Sequence, residues 1–153
     1  MSTNKVYRDT PNYLKIKEYK SRYDSKSIDN FYKDINESMS IDNCVHSLLR
    51  ASKLFGDILV QEYGKNFGLN TVCFRAGCIT VSNHSGAKLH GFLSYLVKSC
   101  IEKNNYTIFG YKMKQVRDNM HSNDLVRCFW KFYKNQLPGK CITLGVEENA
   151  AAQ

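Results

Sequence analysis

The chain has 153 residues, of which 42% are hydrophobic, 24% are charged and two are proline. This length suits one domain with one core, and the composition excludes the disordered and fibrous classes. A net charge of +8 is compatible with a nucleic-acid binder or with a solvated basic surface. Because the lysines stand singly, without a dense basic run, we expect no nucleic-acid partner.

Location and redox state follow from what the sequence lacks. No apolar stretch has the length of a membrane span, and the first twenty residues have no apolar core like that of a signal peptide, so we expect a cytoplasmic protein without a membrane partner. The six cysteines form no C-x-x-C pair, which predicts reduced, mostly buried thiols. The four histidines have no ligand spacing, so we expect no metal site.

The first elements in chain order are a strand end, an irregular stretch and a long helix. Residues 1–8 are predicted to be the end of a strand running into a loop, and 9–40 a polar loop with short helical turns. Apolar residues then recur at spacings of three and four, which predicts a helix over 43–65 with one buried face. The residues of that predicted face are Val45, Leu48, Leu49, Phe55, Leu59, Val60 and Tyr63.

Capping residues and β-branched residues mark the ends of this helix and the next strand. Asp42 or Asn43 can cap the start of the helix, and Gly64 or Gly68 can end it. The β-branched and aromatic run at 71–74 then predicts a strand.

A loop, a second helix and a short strand are expected next. The loop is AGCITVSNHSG at 76–86, and the segment 106–109 is predicted to be a strand. The apolar spacing between them predicts a helix. Its apolar residues are Leu89, Phe92, Leu93, Leu96, Val97, Cys100 and Ile101.

A third helix and a last strand complete the chain. The helix is predicted to begin near Asn123 or Asp124 and to end before Pro138, followed by a strand at 141–144 and a loose tail at 146–153. The apolar side of this helix is predicted to be Leu125, Val126, Phe129, Trp130 and Tyr133. The alternation of helices and strands indicates an α/β fold with mainly parallel strands.

Three segments, in their order, carry a resemblance to a known family. They are STNKVYRD at 2–9, ASK at 51–53, and a dense region formed by YGKNFGLNTVCFRAGC (63–78), NHSGAKLHGFLSYLVK (83–98) and YTIFGYKMKQVRDNMHSNDLV (106–126). Together they resemble an extended short-chain dehydrogenase/reductase of the NAD-dependent nucleotide-sugar epimerase/dehydratase family, in particular its CDP-paratose (CDP-tyvelose) 2-epimerase group.

The resemblance implies a partial Rossmann-like, NAD(P)-binding fold, made of the C-terminal half of the sheet and part of the substrate-binding domain. Residues 1–153 would then be one partial epimerase/dehydratase domain. Within it, 9–40 would be an irregular insert, 43–65 the active-site helix and 146–153 the loose tail.

The family chemistry needs a tyrosine, a lysine four residues later, a serine or threonine, and bound NAD. By resemblance, Lys53 matches the lysine that contacts both the cofactor and the reacting centre, and Thr3 matches the hydroxyl residue. Leu49 stands at the tyrosine position, and a leucine cannot exchange protons, so the ordinary mechanism fails unless Tyr7 or another group substitutes. The alternative for Lys53 is a solvated lysine whose stem lies along an apolar face.

Three further positions match the substrate side of the family. Arg117 matches an arginine that pairs with the diphosphate of a nucleotide sugar, an anion whose geometry suits a guanidinium. Asn83 and His84 match a substrate-side loop. The alternatives are an ion pair of Arg117 with Asp118, and ordinary turn chemistry for the loop.

Several positions depart from the family pattern. Arg8, Arg50 and Val81 stand where the family has glycine, which at Arg8 and Val81 raises the question of a positive φ. No G-x-G-x-x-G or G-x-x-G-x-x-G occurs in the 153 residues, which argues against NAD binding by this chain.

These departures predict a truncated epimerase-like protein with little or no independent catalysis. The alternative is an interaction module, or a half-enzyme, that completes or regulates a full-length epimerase. Half a parallel sheet would leave an open edge and an uncovered apolar face, so we expect a homo- or hetero-oligomer with an epimerase chain. A nucleotide-diphosphate sugar is the ligand that the resemblance implies.

Overall fold

The computed structural model describes residues 1–26, 30–32, 34–81, 91–136 and 139–144. The strands are β1 (Ser2–Thr3), β2 (Ile16–Glu18), β3 (Tyr23–Ser25), β4 (Val72–Ala76), β5 (Cys78–Thr80), β6 (Asn119–His121) and β7 (Lys140–Leu144). The helices are α1 (Leu48–Phe67), α2 (Phe92–Ile101) and α3 (Ser122–Asn135), and 3-10 turns occur at Asn4–Tyr7, Thr10–Tyr13 and Tyr111–Met113.

The main sheet is parallel, as the sequence pattern predicted. Its strand order is β1-β4-β7, with β4 in the middle, and Ser2 is in register with Arg75 while Val72 is in register with Lys140. β5 and β6 form a second parallel pair. The antiparallel hairpin of β2 and β3 lies inside the stretch expected to be loop, and local polar sequence gave no signal for it.

Helix α3 covers one side of the main sheet. Phe74 of β4 contacts Phe129 and Phe132, with ring centroids 5.4 and 6.3 Å apart. Leu125 and Leu144 are buried in the same cluster. The predicted apolar side of α3 is therefore only partly right: Val126, Trp130 and Tyr133 are exposed, and Cys128 and Phe132 pack on the core instead.

A second cluster lies beneath α1. Val6 and Tyr7, from the 3-10 turn after β1, are buried with Met39. Half-buried apolar residues complete the cluster, among them Leu54 of α1 and Ile41 of the preceding segment. This cluster fixes the chain that leaves β1 against the helix that carries the predicted active-site positions.

Helix α1 begins five residues later than the pattern indicated. Ser47 is its N-cap, and Gly68, with a φ of 67°, ends it as predicted. In the residues before it, the Cys44 thiol donates to the Ile41 carbonyl, which also hydrogen-bonds the His46 ring. Such side-chain bonds to the backbone compete with helix formation and keep these residues in a turn.

The predicted buried face of α1 is wrong. We define its outer face as the exposed apolar residues Leu48, Leu49, Phe55, Leu59, Tyr63 and Phe67. We define its inner face as Leu54, Asp57, Gln61 and Gly64, which lie toward the sheet and are buried or half-buried. The helix thus places a polar and small surface inside and an apolar surface outside.

Two further expectations were wrong. Residues 106–109 are irregular and pair with no strand in the described part of the chain, and Ile108 and Phe109 are exposed. Of the cysteines only Cys73 is buried, while Cys100 is exposed and the other four are half-buried; all six are free thiols.

Candidate functional site

Three of the predicted site residues, Thr3, Leu49 and Lys53, lie on elements that meet where the parallel strands β1 and β4 end. α1 leads into β4 and packs on β1 and on the 3-10 turn that follows it. A helix that connects to a parallel strand runs antiparallel to it, so the N-terminus of α1 lies at the carboxyl ends of these strands. Open α/β sheets bind ligands at this edge.

Thr3 is the last residue of β1 and is half-buried. Its Oγ1 accepts a hydrogen bond from the backbone N–H of Lys5 at 3.2 Å and so caps the 3-10 turn. The hydroxyl predicted to be catalytic therefore already stabilises the backbone at this edge.

Leu49 and Lys53 lie one turn apart in the first half of α1, and both are exposed. The Leu49 side chain is 72% exposed and offers no proton to a ligand. Among the residues that the structure describes, Lys53 has no hydrogen-bond or ion-pair partner, so its amine is available to a ligand or to water.

Tyr7, the candidate substitute for the missing tyrosine, is buried and fully engaged. Its hydroxyl lies 2.9 Å from Thr143 Oγ1 and accepts a hydrogen bond from Arg75 Nη1 at 3.1 Å. The Arg75 guanidinium also lies over the Tyr7 ring, 5.2 Å from its centroid. This phenol is part of the interior and does not reach the exposed site beside Lys53.

Arg75 also forms a buried ion pair with Asp57 that sequence reasoning missed. Nε donates to Asp57 Oδ2 at 3.0 Å and Nη2 to Oδ1 at 2.8 Å, and the two residues are only 3% and 2% exposed. Asp57 also accepts hydrogen bonds from Ser2 and Gln61. We call these five residues, Ser2, Tyr7, Asp57, Gln61 and Arg75, the buried network.

The network determines the charge states of its members. Burial alone would raise the pKa of the Asp57 carboxyl, but hydrogen bonds from Arg75, Ser2 and Gln61, with the Arg75 charge, bring that pKa below its usual value. Burial would lower the pKa of Arg75, and its bonds to Asp57 and Tyr7 outweigh this and raise it. The pair is therefore ionised and its polar atoms are satisfied, as a structural ion pair requires.

Arg117 lies in an irregular segment just before β6 and is exposed. The Asp118 carbonyl accepts the Cys78 N–H at 2.9 Å, which fixes this segment at the start of β5. Arg117 forms no ion pair with Asp118, the alternative that the sequence left open. Arg117 also acts on Lys5. Partial burial and the positive charges of Arg117 and Arg50 lower the pKa of the Lys5 amine, while Cys78 raises it.

Asn83 and His84 lie outside the described residues. Beside Val81, a cavity of about 530 Å³ lies at the ends of β5 and β6, between Thr80, His121 and the side of α2.

Two of the residues that stand where the family has glycine were questioned for a positive φ. Arg8 has one, 43°, whereas Val81 does not. The Arg8 guanidinium bonds the Val45 carbonyl and pairs with Asp9.

Across the described residues, no three His, Cys, Asp or Glu side chains come together as metal ligands would. No helix in the described part of the chain has both the length and the apolarity to span a membrane.

Comparison with known proteins agrees with the fold and with the resemblance. Over 151 residues the chain is 31% identical to CDP-paratose 2-epimerase of Salmonella typhi, covering 94% of this chain and 43% of that enzyme. The crystal structure of dTDP-glucose 4,6-dehydratase from Bacillus anthracis, in complex with NAD, superposes with a TM-score of 0.65 at 17% identity. That match covers 94% of this chain and 38% of the dehydratase.

The chain thus spans less than half the length of either protein. A family model described as "NAD dependent epimerase/dehydratase family" matches residues 37–145, which include α1, β4 and the segment that carries Arg117. With most of the chain inside this match and the parallel sheet in place, the chain belongs to the NAD-dependent epimerase/dehydratase family.

Proposed function

We propose that this chain is an NAD-dependent nucleotide-sugar epimerase/dehydratase-like protein with little or no independent catalysis. The observation that carries the proposal is Leu49, which stands one turn before Lys53 with its side chain in the open. The family chemistry exchanges a proton with a tyrosine at this position, and Tyr7, the candidate substitute, is held in the buried network.

The residues present fit NAD only in part. Lys53 has a free amine where the family lysine would contact the nicotinamide ribose, and bound NAD would supply hydride transfer. A dinucleotide pyrophosphate is held at a glycine turn that leads into a helix. Here β1 leads into a 3-10 turn and β4 into β5, so neither strand provides such a turn.

The substrate side is better preserved. Arg117 is exposed and unpaired within the described residues, as a residue that binds a diphosphate should be in the free protein. Together with Asn83 and His84 it would contact a nucleotide-diphosphate sugar. We propose that this ligand class is retained while the acid/base is lost.

Turnover assays test the loss of catalysis. The purified chain is incubated with NAD and CDP-paratose, with a full-length CDP-paratose 2-epimerase as the positive control, and the sugar product is separated by chromatography. We expect no epimerised product from the chain. Turnover that Lys53→Met abolishes would contradict the proposal, because it would require a working centre beside Leu49.

A second candidate function is an interaction module, or half-enzyme, that completes or regulates a full-length epimerase. The outer face of α1 supports it. Leu48 and Phe55 are 92% and 67% exposed, and six apolar residues share this face without a charged residue among them. An apolar surface of this size on a soluble domain usually marks an interface.

Sedimentation velocity separates the two candidates. The chain is measured alone and mixed with full-length CDP-paratose 2-epimerase. Phe55→Gln is the interface variant, and Arg127→Gln, at an exposed position of α3, is the matched control. An interaction module forms a mixed complex that only Phe55→Gln weakens. A half-enzyme also gains NAD binding on mixing, and a chain that never associates is neither.

A further inference from the structure

Three basic residues near the carboxyl end of β1, Lys5, Arg50 and Arg117, lie close enough for their charges to interact, and Lys53 lies one turn after Arg50. Lys5 follows β1, Arg50 and Lys53 lie in the first two turns of α1, and Arg117 precedes β6. Helix positions three apart are neighbours, so Arg50 and Lys53 share one face. Of these four basic residues, the family resemblance identified only Lys53 and Arg117 as site residues.

The segment that contains Lys5 and the segment that contains Arg117 both lie against Gly77. A side chain at Gly77 would lie 2.9 Å from the Asp118 carbonyl oxygen and 3.3 Å from Asn4 Nδ2, so both segments reach the same glycine. The bond from the Cys78 N–H to the Asp118 carbonyl fixes the same contact. Lys5, which follows Asn4, and Arg117, which precedes Asp118, therefore lie on two segments held against the same glycine.

These cations lack counter-ions in the described residues. Lys5, Arg50 and Arg117 form no ion pair there, whereas nearby Arg8 is paired with Asp9. The first turn of α1 adds partial positive charge, and its N-cap Ser47 makes no side-chain hydrogen bond to it. The lowered pKa of Lys5 is consistent with the mutual repulsion of Lys5, Arg117 and Arg50 after partial burial, its largest cause.

We propose that Lys5 and Arg50 join Arg117 in one binding site for a diphosphate group. The inference rests on the proposed function, in which the ligand is a nucleotide-diphosphate sugar, and adds two phosphate-binding residues to it. Guanidinium groups bind phosphate oxygens in pairs, and an ammonium adds a point charge. The start of α1, where the family has its proton-exchanging tyrosine, would here bind an anion instead. Arg50, which stands where the family has glycine, would be one of its ligands.

Calorimetry with inorganic pyrophosphate tests the site in the full chain. We expect saturable binding that weakens as salt is raised, because the contacts are between charges. Arg50→Gln and Lys5→Met should each weaken it on the order of tenfold, as the loss of one charge-assisted hydrogen bond predicts. Arg127→Gln is the matched control, since this exposed arginine lies on α3 and pairs with Asp124.

Circular dichroism on each variant separates lost binding from lost folding. A second readout is the amide NMR spectrum of the wild type, in which pyrophosphate should shift residues of the 3-10 turn and the first turn of α1. Absence of binding, or variants that bind as Arg127→Gln does, would overturn the inference. If pyrophosphate did not bind but CDP-paratose did, the proposed function would stand and this site would be wrong. If pyrophosphate bound but the chain turned over CDP-paratose, this site would stand and the proposed loss of catalysis would be wrong.

Discussion

The two faces of α1 contrast in a way that reverses ordinary amphipathic design. The inner face buries Asp57, which pairs with Arg75 of β4, and Gly64, which packs against Thr71 and Gly139 just before β4 and β7. The outer face exposes leucines and aromatic residues, and Tyr63 and Phe67 lie there with their ring centroids 5.3 Å apart. Periodicity therefore identified a helix but not the face that is buried, because polar residues enter the interior when each has a defined partner.

The largest expected effect comes from breaking the buried network. Arg75→Met would leave the Asp57 carboxylate buried without its cation, which typically costs about 3–5 kcal/mol. Urea denaturation followed by circular dichroism measures this loss in the free energy of unfolding. A cost below about 1 kcal/mol would mean that Asp57 is solvated.

The double variant Asp57→Leu with Arg75→Met distinguishes a structural pair from a merely fragile site. Replacing both partners of a buried pair by apolar residues is often neutral, so most of the lost stability should return. Arg127→Gln, at the exposed pair with Asp124, should change the free energy of unfolding by less than about 1 kcal/mol.

Two glycines of α1 give a matched test of its orientation. A side chain at Gly64 would overlap the backbone of Gly139 and the Thr71 hydroxyl, so Gly64→Ala should lower the free energy of unfolding by about 1–3 kcal/mol. At Gly56 no other part of the described chain comes within 4 Å of an added Cβ, and Gly56→Ala should raise the free energy of unfolding by about 0.5–1 kcal/mol. Equal effects of the two alanines would show that the helix packs by another face.

The dependence of the free energy of unfolding on pH, in the acid range, reports on the same buried network. The pKa of Asp57 is lowered in the folded chain, so the unfolded state binds more protons once the pH falls below about 3.9. The stabilisation from Asp57 is fully present above that value and is lost as the pH falls through the folded pKa. Acid titration of the double variant should therefore give a shallower loss of stability than the wild type, and identical limbs would contradict the assignment.

The smallest effect on stability is expected at the outer face. Phe55→Gln, at a chain concentration where the protein is monomeric, should change the free energy of unfolding by less than about 0.5 kcal/mol. Phe74→Ala, in the core beneath α3, should cost about 3–5 kcal/mol in the same denaturation experiment. A large cost at Phe55 would place the outer face inside the fold of the single chain.

Much of the fold could be predicted from sequence because its signals are local. The β-branched run of β4, the spacing in α2 and the glycine that ends α1 act over a few residues. The β2–β3 hairpin could not be predicted, and the irregular conformation of 106–109 was missed, because both depend on whether a neighbouring strand is present.

The candidate site likewise has residues that the sequence located and contacts that only the folded chain reveals. Thr3, Lys53 and Arg117 were located by resemblance, and their roles remain predictions. The bonds of Arg75 to Asp57 and Tyr7 join residues 18 and 68 positions apart, so only the folded chain reveals them. A charged residue inside the apolar strand VCFRA was the one local sign that a buried partner exists.

The measurement that tests the central claim most directly is a calorimetric titration of NAD into the purified chain, with circular dichroism in the same buffer to establish that it is folded. The account predicts a folded chain that gives no saturable heat with NAD, for the wild type and for Lys53→Met alike. Saturable micromolar binding by the wild type that Lys53→Met abolishes would contradict it, because a cofactor site would then exist beside Leu49.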